Sequence, residues 1–503
     1  MMSKEKYLPL LLLALIISFP VELRAIGEND LEKIAEAVDE RGSSEVQHAF
    51  ELLVEKDVLK VREEEDWELP NLYPRNEYPE IADALVIMQE SRVLQVKPVN
   101  WEGTPNTVEI LVDKEEIFPR ALDMIRRATR WIRFNMFLWG GSIGKKVAHA
   151  LADAQERGVD VQVIAPEKGG SKALKKLQLV SSKLAGEEPL PPYEPVIEYA
   201  KELGLDIGHI PVKRLPGKAF VKADHNKVLT IGTESAKEAL IGGMNFADVV
   251  ANNHDLMLWI SGPAVDELNG IFSDNWRHCK KSLVVREELM PGFDGLNTTR
   301  GYYCEPCNAP GGFSSQSNCA DGRVVISYSN AFSTNTRGMV EGLIASARES
   351  IRVQMFTCTD DRLVDALIDK YDEGNGVDVK VILDPNVHAF GLRLMGAPNI
   401  STVRQLKKAG IPVRAYKTKP GSQMHIKSLT VDGRYSCFGS TNFTTAGFDS
   451  NNETFAKVDS EAVAEKMMKV FEEDWEEECY VIKSDGFGRW ILSLVTETLD
   501  GRF

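Results

Sequence analysis

The sequence predicts an α/β protein made by tandem duplication, each half a mixed, mostly parallel sheet flanked by helices. Three observations carry that expectation. Hydrophobic residues make up 43% and charged residues 27% of the 503 positions, ordinary globular values that exclude wholesale disorder and leave room for two to four domains. An internal repeat places Ala128, Ile132, Met136-Phe137 and Gly158-Val159-Asp160-Val161 in the same order as Ala347, Ile351, Met355-Phe356 and Gly376-Val377-Asp378-Val379. The offset is 219 residues at the first three landmarks and 218 at the fourth. Within each copy, helical periodicity alternates with short apolar runs rich in Val and Ile, the pattern of a βαβ unit.

The elements follow in order. Lys4 and Lys6 precede an apolar run over residues 8–21 that ends near Ala25, which reads as a secretory signal peptide over 1–25. Fourteen apolar residues containing Pro20 are short for a bilayer span, so a single N-terminal anchor is the alternative, and the expected location is secreted or periplasmic. Residues 26–100 read as an acidic helical appendage, with Leu31, Ile34, Ala37 and Val38 at helical spacing. Residues 101–279 form the first repeat, whose first clear strand is 107–112 (TVEILV). An irregular insertion, residues 184–195, interrupts it. Residues 280–322, rich in Gly, Ser, Pro, Asn and Cys, read as a linker loop, and 323–503 form the second repeat.

Four of the seven cysteines, Cys279, Cys304, Cys307 and Cys319, fall within 41 residues. They fit a zinc knot or two disulfides, and in an exported chain disulfides are the expectation, because their spacing is no standard zinc pattern. Cys358 and Cys437 read as small core residues. Asn297 and Asn399 head the better-placed glycosylation sequons. With 59 Lys and Arg against 75 Asp and Glu, the formal net charge is −16, which weighs against a duplex-DNA binder. No internal stretch approaches 18 uncharged apolar residues, so a polytopic membrane protein is excluded.

Each repeat ends in the same polar pattern. The first copy has His225-x-Lys227, then Gly242-Gly243-Met244-Asn245; the second has His425-x-Lys427, then Asp432 and Gly439-Ser440-Thr441-Asn442. Positions i and i+2 of a strand share a face, so each His projects with its Lys. An imidazole beside an ammonium, backed by an amide, suits a tetrahedral phosphate, and the imidazole can act as nucleophile or proton donor.

This double motif resembles the phospholipase D superfamily, whose signature is H-x-K-x4-D followed by a G-G/S-x-N strand in each of two repeats. The resemblance covers about residues 107–480 and includes Asp255, Glu453, Trp276 and Trp475. The SGPAV run and the WRHC ending are most similar to the secreted bacterial phospholipase D group. The first motif departs from the pattern: Gly232 stands where Asp is expected, with Glu234 as the nearest substitute. Asp432 lies five residues after its Lys and reads as a hairpin brace.

The resemblance implies two phospholipase D-like domains related by a pseudo-twofold, with one active site at their interface. It implies that His225 attacks phosphorus to give a phosphohistidine and that His425 is the acid/base, or the reverse. Lys227, Lys427, Asn245 and Asn442 would hold the non-bridging oxygens, and Asp255 and Glu453 would accept the far ring N–H of the histidines. No metal or other cofactor is expected, and no stable protein partner. The expected activity is an exported phospholipase D hydrolysing glycerophospholipids at a membrane surface, with transphosphatidylation open. A nucleic-acid phosphodiesterase, which the net charge disfavours, a cardiolipin synthase-type phosphatidyltransferase and a catalytically silent relative are the alternatives.

Overall fold

A computed structural model describes residues 101–166, 193–210, 223–281, 319–330, 333–372, 376–385, 399–419, 422–449 and 451–482. The leader at 1–25, the appendage at 26–100, most of the 184–195 insertion, and Cys304, Cys307 and Asn297 lie outside the described residues.

The first half contains β1 (Thr104–Val112), α1 (Asp113–Arg127), β2 (Trp131–Met136), α2 (Gly141–Glu156), β3 (Asp160–Ile164), β4 (Ile207–His209), β5 (Lys227–Gly232), β6 (Lys237–Gly242), β7 (Leu256–Ser261) and α3 (Ala264–His278). The second contains β8 (Ala320–Asn330), α4 (Asn335–Ser346), β9 (Ser350–Met355), α5 (Asp361–Asp372), β10 (Asp378–Leu383), α6 (Ile400–Lys408), β11 (Val413–Tyr416), β12 (Lys427–Val431), β13 (Tyr435–Gly439), β14 (Glu453–Asp459) and α7 (Glu461–Glu473).

Strand pairing joins both halves into one sheet, in the order β4-β3-β2-β5-β6-β7-β1-β8-β14-β13-β12-β9-β10-β11. Read outward from the centre, the two halves have the same order. The pseudo-twofold passes between β1 and β8, which run antiparallel with Thr104 opposite Val324 and Val108 opposite Ala320. The sheet is mixed, and its parallel pairings are confined to β2–β3 and β3–β4 and their counterparts β9–β10 and β10–β11. Where a helix crosses over, the next strand returns parallel; where a few residues make the turn, as between Gly232 and Lys237, only an antiparallel hairpin can form.

The helices show why the periodicity was legible. α1 buries Ile117, Ala121, Met124 and Ile125, and α7 buries Val463, Ala464, Met467 and Phe471, each set on one helical face. Every residue of β5 is buried: Leu229 and Ile231 pack into the core of the first half, while Val228 joins the core shared by both halves and Thr230 donates to Asn269 of α3 at 2.5 Å. One apolar core belongs to each half, and a third joins them, with Val108, Ile110, Leu258 and Ile260 packing with Val324, Ile326, Ala456 and Val458.

Two expectations need correction here. No disulfide joins any of the described cysteines. Cys279 is packed with Phe272, Trp276 and Ile164, its thiol donating to the Asn275 carbonyl at 3.3 Å, and Cys319 reaches the Glu109 carboxylate at 3.8 Å. Cys279 thus belongs to a small apolar cluster, while Cys319 packs against the core of the first half. Asn399 is 2% exposed, and its amide donates to the carbonyls of Phe356 and Asp384, so this sequon is unsuited to glycosylation.

Candidate active site

His225 and His425 sit two residues before Lys227 and Lys427, the first residues of β5 and β12. The strand leading into each His is anchored by the opposite half. The His225 N–H donates to the Asn452 carbonyl at 2.9 Å, and the His425 N–H to the His254 carbonyl at 2.7 Å. The strand ends therefore meet at the pseudo-twofold, and both histidines are brought into one site.

The acidic partners are exchanged between halves. His225 Nδ1 lies 2.9 Å from Glu453 Oε2, and His425 Nδ1 lies 2.7 Å from Asp255 Oδ2. A carboxylate only accepts, so Nδ1 carries the proton in each ring and Nε2 is the atom left for chemistry. Burial lowers both imidazole pKa values, with the neighbouring lysines adding to the effect and Glu453 opposing it at His225. The shift favours the neutral form of both rings. Burial raises Asp255 to about 7, against the pull of Lys427.

The two lysines are almost completely buried. Each ammonium donates to the carbonyl of its own motif histidine, at 2.6 Å for Lys227 and 2.5 Å for Lys427. Each also lies over a phenylalanine ring, Phe137 at 5.0 Å and Phe356 at 5.1 Å. Burial lowers Lys227 to about 7 against Glu453, and Lys427 to about 8 against Asp255. Burial disfavours their charged form, and an anion placed beside them would favour it again.

Asn245 and Asn442 occupy corresponding turns. Asn245 Oδ1 accepts from the Leu138 N–H at 3.0 Å, while Asn442 Oδ1 is buried without a partner. Asp432 lies at the far end of β12, away from the histidine. Its carboxylate accepts from the N–H groups of Arg348, Glu349 and Ser350 at 2.8–3.2 Å, and its own φ is +53°. In the first half Gly232 does the equivalent work with its carbonyl, which accepts from Thr129 and Arg130, and the Trp131 ring fills the space of the missing carboxylate. Glu234 is exposed, and Thr233 closes that turn instead.

Several neighbours escaped the sequence argument. Phe137 and Phe356 pack against His225 and His425 at 4.6 and 4.9 Å. The duplicated Met-Phe landmark was their signal. Beside His225, Asp224 is buried and accepts from Asn226 at 2.8 Å, Asn452 at 3.0 Å and Asn135 at 3.4 Å. Burial raises Asp224 to about 6, with those amides opposing. Beside Asp255 stands His254. Nothing in the sequence marked these two, because their partners come from distant segments.

A buried pair of neutral imidazoles, each held by a carboxylate and flanked by ammonium groups, is built to exchange a phosphoryl-centred bond between two oxygens, the chemistry of phosphodiester enzymes. The family profile described as "Cardiolipin synthase, PLD-like domain" matches residues 121–276 and 340–475, and the chain belongs to this phospholipase D-like family. It is 23% identical over 405 residues to a cardiolipin synthase of Clostridium perfringens (strain 13 / Type A), spanning 78% of this chain and 75% of the relative. It is 24% identical over 387 residues to the major cardiolipin synthase of Bacillus subtilis (strain 168), spanning 73% and 69%. The crystal structure of phosphatidylserine synthase from Haemophilus influenzae Rd KW20 shares the fold, with a TM-score of 0.51 at 13% identity, over 78% of this chain and 92% of that one.

These relatives correct the expected activity. Proteins aligned over three quarters of this chain are named as synthases, so the reading as an exported phospholipase D that hydrolyses and degrades lipids does not stand. The secreted or periplasmic location falls with it. It rested on the signal-peptide reading of residues 1–25, which lie outside the described residues, and the relatives named as cardiolipin synthases do not match it. Among the described residues no helix is long and apolar enough to cross a membrane.

Proposed function

We propose that this protein is a phosphatidyltransferase of the cardiolipin synthase type, moving a phosphatidyl group from one phospholipid to the alcohol of another at a membrane surface. The alignment of both repeats with proteins named cardiolipin synthase carries this choice of transfer over hydrolysis. Burial of the reactive groups supports it, since side-chain exposures of 12% for His225 and 8% for His425 leave little room for bulk water.

His225 Nε2 attacks the donor phosphorus. The bond to the departing alcohol oxygen breaks as His425 delivers a proton to that oxygen, leaving the phosphatidyl group on His225. The acceptor hydroxyl then gives its proton to His425 while its oxygen attacks phosphorus, and the P–N bond breaks to restore His225. Lys227 and Lys427 neutralise charge on the non-bridging oxygens, with Asn245 and Asn442 positioned to add hydrogen bonds. The donor phosphate brings the negative charge that lifts His425 toward its protonated form. Glu453 and Asp255 hold the two rings in the reactive tautomer.

The test is incubation of the purified full chain with phosphatidylglycerol vesicles, with lipids and water-soluble products analysed together. Transfer yields cardiolipin and glycerol in equal amounts, and His225→Ala or His425→Ala lowers the rate by about a thousandfold or more. Phosphatidic acid as the only lipid product would return the protein to the hydrolases. Cleavage of single-stranded DNA without lipid turnover would move it to another substrate class.

A further inference from the structure

His254 lies immediately before Asp255 and touches neither motif histidine with its ring. Its Nδ1 lies 3.0 and 3.1 Å from the two carboxylate oxygens of Asp113, and its Nε2 lies 2.9 Å from Asp474 Oδ2. Both ring nitrogens therefore donate, which requires the imidazolium. The ring stacks on Tyr416 at 5.2 Å with the planes 10° apart, and Asp474 Oδ2 accepts a further bond from the Gln354 amide at 2.6 Å. Asp113 and His254 belong to the first half; Asp474, Tyr416 and Gln354 belong to the second.

This ion triad is tied to the reactive pair through the main chain. Asp113 Oδ1 accepts from the Asp255 N–H at 2.9 Å, and the Asp113 N–H donates to the Asp255 carbonyl at 3.0 Å. The His254 carbonyl accepts from the His425 N–H at 2.7 Å, and its own N–H donates to the Gln423 carbonyl at 2.8 Å. One charged ring thus fixes both members of the His425–Asp255 pair. At the corresponding position of the other half stands Asn452, a neutral amide donating to Asp224 at 3.0 Å. The His225–Glu453 pair has no such clamp among the described residues.

We infer that His254 is a positioning residue which, clamped between Asp113 and Asp474, holds the His425–Asp255 pair in the geometry for proton transfer. The asymmetry suits a division of labour in which His425 exchanges protons at a fixed place in both half-reactions, while His225 travels with phosphorus. The inference rests on the proposed reading of His425 as acid/base.

The experiment compares two donors whose leaving groups differ. Glycerol must be protonated to leave phosphatidylglycerol, whereas p-nitrophenol leaves phosphatidyl-p-nitrophenol as the anion. His254→Gln should lower kcat on phosphatidylglycerol by about ten- to a hundredfold with KM nearly unchanged. It should leave the pre-steady-state burst of p-nitrophenolate within about threefold of wild type, since that step needs no acid. Added to His425→Ala, His254→Gln should cost nothing further on phosphatidylglycerol. Asp474→Asn, which keeps the side-chain size and removes one charge, repeats the pattern if His254→Gln fails to fold.

Equal slowing of both donors, or no slowing of either, would overturn the positioning role. So would full additivity with His425→Ala. A burst abolished by His425→Ala but kept by His225→Ala would overturn the reading of His425 itself, and the inference with it. Wild-type failure to turn over either lipid would overturn the proposed function.

Discussion

Arg337 offers a sharp test of how the second half holds its site. The residue is 4% exposed, and its guanidinium meets Asp360 at 2.6 and 2.8 Å and Asp449 at 3.1 Å, above the Phe448 ring at 4.7 Å. Asp360 follows β9, and its N–H and that of Thr359 both donate to the Phe443 carbonyl, next to Asn442. Arg337→Met keeps most of the volume and leaves two carboxylates buried without their cation. Breaking a buried pair of this kind costs about 3–5 kcal/mol. Denaturant midpoints of wild type, Arg337→Met and the triple variant Arg337→Met/Asp360→Asn/Asp449→Asn measure this directly. The triple variant should recover most of the loss, because no uncompensated charge remains. A single variant losing under about 1 kcal/mol, or a triple variant no better than the single, would refute the reasoning.

Restoring the family's aspartate with Gly232→Asp should weaken the protein by about 1–3 kcal/mol rather than improve it, because a Cβ there would lie 2.4 Å from the Trp131 ring; thermal unfolding reads this out. Asp432→Ala should cost about 1–2 kcal/mol of stability through loss of three N–H acceptor bonds and strain at φ +53°, with kcat retained. Asp432→Gly, which relieves the strain but not the lost bonds, should be the milder change in the same unfolding assay. The His254 ion triad predicts a pH signature. Its carboxylate partners raise the His254 pKa to about 10 despite the opposing effect of burial. Its contribution is thus complete below the unfolded value of about 6.5 and is lost as pH rises through 10. Lys227 and Lys427, whose pKa values burial lowers, act in the opposite direction over much of the same range. The difference in unfolding free energy between wild type and His254→Gln isolates the histidine, and a difference that stays flat from pH 7 to 10 would show that the ring is not charged.

Much of the architecture was legible because duplication prints local patterns twice. Ile132 and Ile351, or Gly158 and Gly376, mark equivalent strands without any knowledge of their partners. The direction of those partners was less legible. An apolar strand reads the same whether its neighbour runs parallel or antiparallel, and only the length of each connection separates the two. Cysteine spacing misled for a related reason: Cys279 and Cys319 are close in a count of residues, but one thiol faces an apolar corner and the other a carboxylate. The Gly232 departure looked like a defect in the motif. Trp131, three residues after an Ala shared by both copies, occupies the space, and no spacing rule exposes a compensation made by a neighbouring strand.

The exchange of acids between halves has a consequence for how this chain varies. His225 draws on Glu453, 228 residues away, and His425 draws on Asp255, 170 residues away. Neither repeat therefore holds a complete His–carboxylate pair, and neither can be optimised alone. The two acids differ by one methylene group, yet both reach Nδ1, at 2.9 and 2.7 Å. That match is possible because each acid opens or precedes a strand whose position is set by the antiparallel pairing of β1 with β8 at the sheet's centre. A change in register there moves both acids relative to both histidines at once. The proposed division of labour, in which one ring carries phosphorus and the other carries protons, fits a scaffold that keeps the halves alike in backbone and lets them differ at His254 and Asn452.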